Sequence, residues 1–362
     1  MKTMMALLLG LAAASPLAAQ DLIKFKDSKK NPDLEGEIVS LAFDLVEIEV
    51  IAGNGTVKQP VDPREIKDLI PLRSSVELAK AEEALANGDL DSAVQRFNRV
   101  VGDTKARALL RQHAAISIVR AQFSNGRYEA AVTSAQALRA RKPDSFYVGE
   151  SFYYEVKSQL ATKNAPGAKA AIAALAALAQ GRGIQALARS ADLLDAGLAE
   201  LQTNWRGAMA TYRKYARDPE LADDAALGEL RCLTAILDFP GLGARAEGIL
   251  KDASGKTTVN PRLLIAAYTG KADVDLNGGK VKAALFGYLQ GPLTLAKGET
   301  SPEHETSIAR SALACLRIAA EGEGREKESF LGKGIDMLEE LRKYYPHSRF
   351  RVEIEEALRK LR

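Results

Sequence analysis

An alanine that returns at Ala93, Ala131, Ala171, Ala208, Ala246 and Ala284, at intervals of 38, 40, 37, 38 and 38 residues, constrains this chain more than any other feature. Four positions after each comes Phe97, Ala135, Leu175, Tyr212, Leu250 or Tyr288, and three before each comes Leu90, Tyr128, Ala168, Trp205, Gly243 or Val281. Residues at −3 and +4 share a helix face, so a small residue between them marks a close approach of two helix backbones. The spacing predicts an array of helix–turn–helix units from about residue 74 onward. In the first unit Ser75–Ala86 and Leu90–Val101 flank the turn Asn87-Gly88-Asp89. A unit of this size cannot bury its apolar face alone, so neighbours must stack.

Composition agrees and removes several function classes. The 362 residues are 46% hydrophobic but only 6% aromatic, with alanine and leucine prominent, as closely packed helices require. With 27% charged residues and a net charge of +3, the chain is neither a low-hydrophobicity disordered one nor a dedicated nucleic-acid binder. After the first twenty residues no apolar run reaches the roughly 18 residues needed to span a bilayer.

The N-terminus has Lys2, an uncharged stretch from Thr3 to Ala14, and small residues up to Ala19 before Asp21. A basic start, an apolar middle and a small-residue end make residues 1–20 a secretory signal peptide, cleaved after Ala19 or Gln20. The mature protein is expected to be periplasmic or secreted, without an integral membrane segment. In that oxidising compartment Cys232 and Cys315 could form one disulfide, but both lie in apolar helical stretches and read as buried small hydrophobes. Two cysteines and three scattered histidines offer no structural metal site.

Residues 21–72 have β texture. Leu22–Lys26, Glu35–Leu41 and Leu45–Val50 read as strands, the latter two by alternation, with Val57–Val61 pairing back after a Gly53-Asn54-Gly55-Thr56 turn and Ile66–Ile70 closing the module. Pro60 and Pro63 place the fourth strand at an edge or mark its end. This order of strands resembles the small SH3-like or Sm-like β-barrel modules that head many exported bacterial repeat proteins. RNA binding, which the cytosolic Sm-like barrels perform, is not expected beside Glu35, Glu37, Glu47 and Glu49.

The helical part, residues 74–362, resembles the tetratricopeptide repeat family. Asn87-Gly88-Asp89-Leu90-Asp91-Ser92-Ala93 and Asn125-Gly126-Arg127-Tyr128-Glu129-Ala130-Ala131 match its inter-helix turn, and Pro143 ends the second unit where that family has a proline. A last unit ends Leu341-Arg342-Lys343-Tyr344-Tyr345-Pro346-His347-Ser348, followed by a polar helix from Arg349 to Arg362 that suits a solvent-facing cap. The period is about 38 rather than the family's roughly 34. Units three and five, with Ala165-Pro166-Gly167 and Pro240-Gly241-Leu242-Gly243, depart from the pattern and leave longer or irregular helical pairs open there. The resemblance implies a mainly α fold: an α-solenoid of six or seven helical pairs behind a small β-barrel-like domain.

Chemical motifs are weak. Ser254-Gly255-Lys256-Thr257 ends like a phosphate-binding loop, but Leu250 stands where that loop needs glycine, and a helix rather than a strand precedes it. Gly241-Leu242-Gly243-Ala244-Arg245-Ala246 fits a dinucleotide fingerprint without the strand before it, and reads as repeat turn. His113, His304 (in the Gly298–Glu305 loop) and His347 are too scattered for a catalytic set. No enzyme activity and no cofactor are expected.

The family resemblance implies a groove lined by the first helix of each unit, holding a protein or peptide partner. Projected onto this period, it exposes His113, Arg120, Phe123, Tyr153, Lys163, Arg231 and Asp273. Phe152, Tyr153 and Tyr154 are the first candidates for an anchor, although adjacent residues cannot share one helix face, so two of the three are expected in the core. The family's carboxylate-clamp lysine and asparagine correspond to Leu78 and Glu82, so that version is not implied. The expectation is a non-catalytic exported scaffold, part of an envelope complex. Alternatives are a peptidoglycan or glycan binder, or an accessory subunit of an envelope enzyme or transport complex.

Overall fold

The structure, a computed structural model, describes residues 21–27, 29–52, 55–71, 75–255, 259–291, 293, 301–346 and 348–361. Residues 1–20, read above as a signal peptide, and Gly53-Asn54, Lys256-Thr257 and His347 lie outside the described residues.

Five strands come first: β1 (Asp21–Phe25), β2 (Leu34–Leu41), β3 (Val46–Ala52), β4 (Gly55–Val61) and, after a 3-10 turn at Pro63–Glu65, β5 (Ile66–Pro71). They form one antiparallel sheet in the order β4-β3-β2-β1-β5, so the last strand returns to pair with the first. The period-two pattern has a direct outcome: Ile23, Phe25, Ile38, Leu41, Val46, Ile48, Val61, Ile66 and Leu69 make one core on a single side. A register shift between Ile38 and Ser40 leaves Val39 out of the ladder and exposed. β4 pairs only with β3, the edge position in which Pro60 needs no donor.

Helices follow: α1 (Val76–Ala86), α2 (Leu90–Gly102), α3 (Ala108–Ser124), α4 (Tyr128–Arg141), α5 (Val148–Ala161), α6 (Ala165–Arg182), α7 (Gln185–Leu201) and α8 (Trp205–Lys214). Then come α9 (Ala222–Ala235), α10 (Phe239–Ala253), α11 (Pro261–Asn277), α12 (Val281–Gln290), α13 (Pro302–Glu321), α14 (Gly324–Tyr344) and α15 (Arg351–Leu361). The chain forms two compact units. One holds the described residues up to Ile118 together with Ala137–Val148, and the other holds Val119–Gln136 and Gly149 onward.

In the first unit the sheet core includes Leu109 of α3. Gln112 there donates to the Leu41 carbonyl at 3.1 Å and accepts from the Ser145 hydroxyl at 2.6 Å. Buried Asp21 accepts from the Ile38 amide at 3.0 Å and from Arg107 at 2.7 Å. α1 and α2 pair over Leu78, Ala81, Ala93 and Phe97.

The second unit is a solenoid. From α6 onward each helix packs on the next, and odd helices also pack on one another, α7 on α9, α9 on α11 and α11 on α13. That double neighbour relation builds an inner layer of odd helices and an outer layer of even ones. α15 covers the end with Ile354 and Leu358, which sit among residues of α13 and α14.

The helix-pair turns set the true period. The residues just before the even helices, Gly88, Gly126, Lys163, Thr203, Leu237 and Gly279, all have left-handed backbone, with φ of 79°, 72°, 58°, 62°, 57° and 76°. In each case the following amide bonds back to a carbonyl five residues earlier, from Asp89 to Ala84 through to Lys280 to Asp275. This is the Schellman ending of the odd helix, and its last residue starts the even helix. Asp89, Asn164, Asn204 and Asp238 then cap that helix through their side chains.

Measured between these turns, the intervals are 38, 37, 40, 34 and 42. The fourth helical residue is therefore Ala93, Ala131, Ala168, Ala208, Leu242 or Ala284, and each is 0% exposed. The eighth is Phe97, Ala135, Ile172, Tyr212, Ala246 or Tyr288, all buried. Units three and five thus correct the sequence register, which placed Ala171 and Ala246 at the crossing. Caps at Asn164 and Asp238 with Pro at the second helical position start α6 and α10 about one turn earlier than that alignment assumes. In unit five the small and large positions are exchanged, with Leu242 at the crossing and Ala246 beside it. Gly241–Ala246 accordingly belongs to helix α10, not to a turn.

Candidate functional site

The inner layer of the second unit gathers charge and aromatic rings. On α5, Tyr153 and Lys157 are four residues apart and share a face. On α9, Asp224 and Arg231 are seven apart and share one as well. Arg262 and Glu303 occupy the first turns of α11 and α13, each directly after a helix-starting proline.

Two ion pairs close across neighbouring odd helices. Arg231 forks onto Glu200 of α7 at 3.0 and 2.8 Å, and Arg262 forks onto Glu303 at 2.8 and 3.1 Å. The Tyr212 hydroxyl donates to the same Glu200 carboxylate. Tyr212 reaches it because Gly228 of α9 has no side chain: a Cβ there would stand 2.3 Å from the ring. Burial opposes the Glu200 charge, but Arg231 and the hydrogen bonds from Arg231 and Tyr212 outweigh it and hold its pKa below the ordinary value. Glu303 is likewise held low, burial being overcome by Arg262.

Tyr153 brings the two sides of this layer together. Its hydroxyl lies in the fields of Asp224 on α9, Arg262 on α11 and Glu303 on α13. Burial first, then Asp224, pushes its pKa up to about 12. The Lys157 ammonium sits 5.5 Å from the centre of the Tyr153 ring. Burial lowers its pKa, and Arg231 adds to that, while Asp224 and Glu200 act in the opposite direction. No carboxylate among the described residues makes an ion pair with it.

An aromatic run continues from there. Ring centres are 5.4 Å apart for Tyr153–Tyr154, 5.2 Å for Tyr154–Phe123 and 5.6 Å for Phe123–Tyr128. Beside it Arg120 of α3 forks onto Glu150 of α5 at 2.6 and 2.7 Å.

Of the sequence-derived groove residues, Arg120, Phe123, Tyr153 and Arg231 come together on this inner layer. Three stand elsewhere. His113 belongs to the first unit, 3.5 Å from Glu82 and edge-on to Tyr147. Lys163 is exposed in the α5–α6 turn with left-handed backbone. Asp273 is 8% exposed, and the buried Tyr288 hydroxyl donates to its carboxylate at 2.6 Å. Within the aromatic triplet only Phe152 is buried, whereas Tyr153 and Tyr154 are half-buried. Lys157, Glu200, Tyr212, Asp224, Arg262 and Glu303 went unnoticed in the sequence. The signals available were the four- and seven-residue spacings on α5 and α9 and the Pro261-Arg262 and Pro302-Glu303 helix starts.

Cys232 and Cys315 are free and buried, with thiols pushed by burial to about 12 and about 11. His304 lies in the first turn of α13, not in a loop, because Ser301 caps that helix. Its Nδ1 is 2.8 Å from the Tyr345 hydroxyl. Among the described residues no helix is long and apolar enough to cross a membrane, and no group of three or more His, Cys, Asp or Glu could hold a metal.

No protein-family model and no curated protein matches the chain. Among solved structures it is similar to a tetratricopeptide repeat protein from Parabacteroides merdae, at 12% identity over 78% of this chain and 96% of that one, with a TM-score of 0.48. It is also similar to NprR in complex with its cognate peptide NprX, at 15% identity over 78% of this chain and 89% of that one, with a TM-score of 0.42. The apo form of the quorum sensor NprR from B. thuringiensis matches at 15% identity over 79% of both chains, with a TM-score of 0.42. Likeness of this degree carries no functional weight, and the solenoid of tetratricopeptide-like helix pairs rests on the packing and turns of the chain itself.

Proposed function

We propose that the chain is a non-catalytic scaffold that holds an extended segment of a protein partner against the inner layer of its second unit. The observation that carries this reading is the convergence of Tyr153, Lys157, Arg231, Arg262 and Glu303 from alternate helices, continued by the Phe123–Tyr128–Tyr154 rings. Rigid aromatic anchors amid forked arginines are the groups that dominate binding energy at protein interfaces. The carboxylates Glu200 and Glu303 are engaged by arginines, an arrangement that suits holding rather than proton transfer.

On the signal-like residues 1–20 we place this scaffold outside the cytoplasm, at the cell envelope, with the small sheet as a module of the SH3 or Sm type. The test is partner capture from envelope extract by the purified protein and by Tyr153→Ala with Arg120→Glu, both checked for equal helicity. The scaffold reading expects the variant to recover at least about tenfold less of the partner that the parent retains, as loss of two interface anchors would give. Equal recovery contradicts it.

A further inference from the structure

Lys157 and Asp224 differ from the arginines beside them on the inner layer. Arg120, Arg231 and Arg262 are each forked onto a glutamate. Lys157 has only the Tyr153 ring, and Asp224 has no ion-pair or hydrogen-bond partner among the described residues. Both are half-buried, and Asp224 is among the charges that act on Lys157. Burial opposes the Lys157 charge most, Arg231 and Arg262 stand in its field against Asp224 and Glu200, and neither carboxylate makes an ion pair with it. A carboxylate brought to it would gain a charge-assisted bond in a partly dry site, where such bonds are strongest.

We infer that Lys157 seats an acidic side chain of the bound peptide, with Asp224 taking a main-chain or side-chain donor beside it. This rests on the scaffold reading above and names the chemistry that the groove selects. The acid is internal to the peptide rather than its C-terminus, because lining groups extend to both sides of Lys157. The Phe123 and Tyr128 rings stand on helices that precede α5 in the array and the Arg262–Glu303 pair on helices that follow it, so a chain seated there is contacted before and after its acidic residue. Neighbouring arginines do not compete for the acid, since Glu200 and Glu303 already fill their forks. Specificity is set by Lys157, whose ammonium has no paired carboxylate among the described residues.

The test uses the whole protein and two randomised nonapeptide libraries, one acetylated and amidated at its ends and one with free C-termini. Blocked-end binders should share an Asp or Glu, and its replacement by Asn or Gln should weaken binding about tenfold or more, as loss of a close charge pair does. Lys157→Met keeps the aliphatic stem and should abolish that difference, leaving under about a twofold effect of the peptide replacement. Lys157→Glu should turn the selected residue basic. Binding confined to free C-termini, or binders with no acidic preference that still depend on Tyr153 and Arg120, would overturn the acidic seat while leaving the groove standing. No binders from either library would sink both.

Discussion

Leu242→Ala is expected to destabilise the helical array by about 2–5 kcal/mol, the range for emptying a fully buried leucine site. Leu250→Ala, eight residues on along α10, should cost nearer about 1 kcal/mol, since half-burial returns less on transfer. Leu242 is 0% exposed at the crossing of α10 with its neighbours, among Leu227, Leu230, Leu233 and Ala246, whereas Leu250 packs on that cluster only from its edge. Repeat arrays do not always unfold in one step, so urea melts should be read beside hydrogen exchange of α10 and α11 amides. Equal costs, or a larger one at Leu250, would return unit five to the register that the alanine spacing suggests.

Gly228→Ala should destabilise by about 1–3 kcal/mol through overpacking. A Cβ at this position would meet Tyr212 Cζ, Cε1 and Cε2 at 2.3, 2.4 and 2.5 Å, and the ring is 2% exposed with no free space to yield into. The same shift would draw the Tyr212 hydroxyl off Glu200 and loosen the Arg231 fork, so packing between pairs four and five is tied to the inner layer. Gly248→Ala in α10 is the control. A Cβ there meets nothing within 4 Å, and replacing a mid-helix glycine should stabilise by roughly 0.5–1 kcal/mol. Opposite signs at the two glycines would separate a packing requirement from helix propensity. Gly228→Ala with unchanged stability would mean that Tyr212 does not lie on α9.

The helix–turn–helix array was legible because its two strongest cues are local. Asn87-Gly88-Asp89 and Asn125-Gly126-Arg127 supply a residue free to adopt positive φ and an amide to close the odd helix, and the alanines report the crossing. Lys163, Thr203 and Leu237 take up the same left-handed backbone without being glycine. Their turns were invisible to composition, and units three and five slipped by about one helical turn. The β order was readable from alternation, but the Val39 bulge was not, because a register shift depends on the partner strand. Arg120, Phe123, Tyr153 and Arg231 followed from the family's use of its first helices. Lys157 was within reach through its four-residue spacing from Tyr153 on α5, but the Arg262–Glu303 pair was not, since it nears Tyr153 only once α5, α11 and α13 are folded toward one another. No local pattern encodes that distance.

The most direct measurement is photo-crosslinking from a blocked-end peptide selected on the whole protein, with a benzophenone at its centre and the adducts located by mass spectrometry. The account predicts adducts on the inner faces of α5, α9, α11 and α13 and on the Phe123–Tyr128 segment, lost with Tyr153→Ala. Adducts confined to the even helices or to the five-stranded sheet would contradict it.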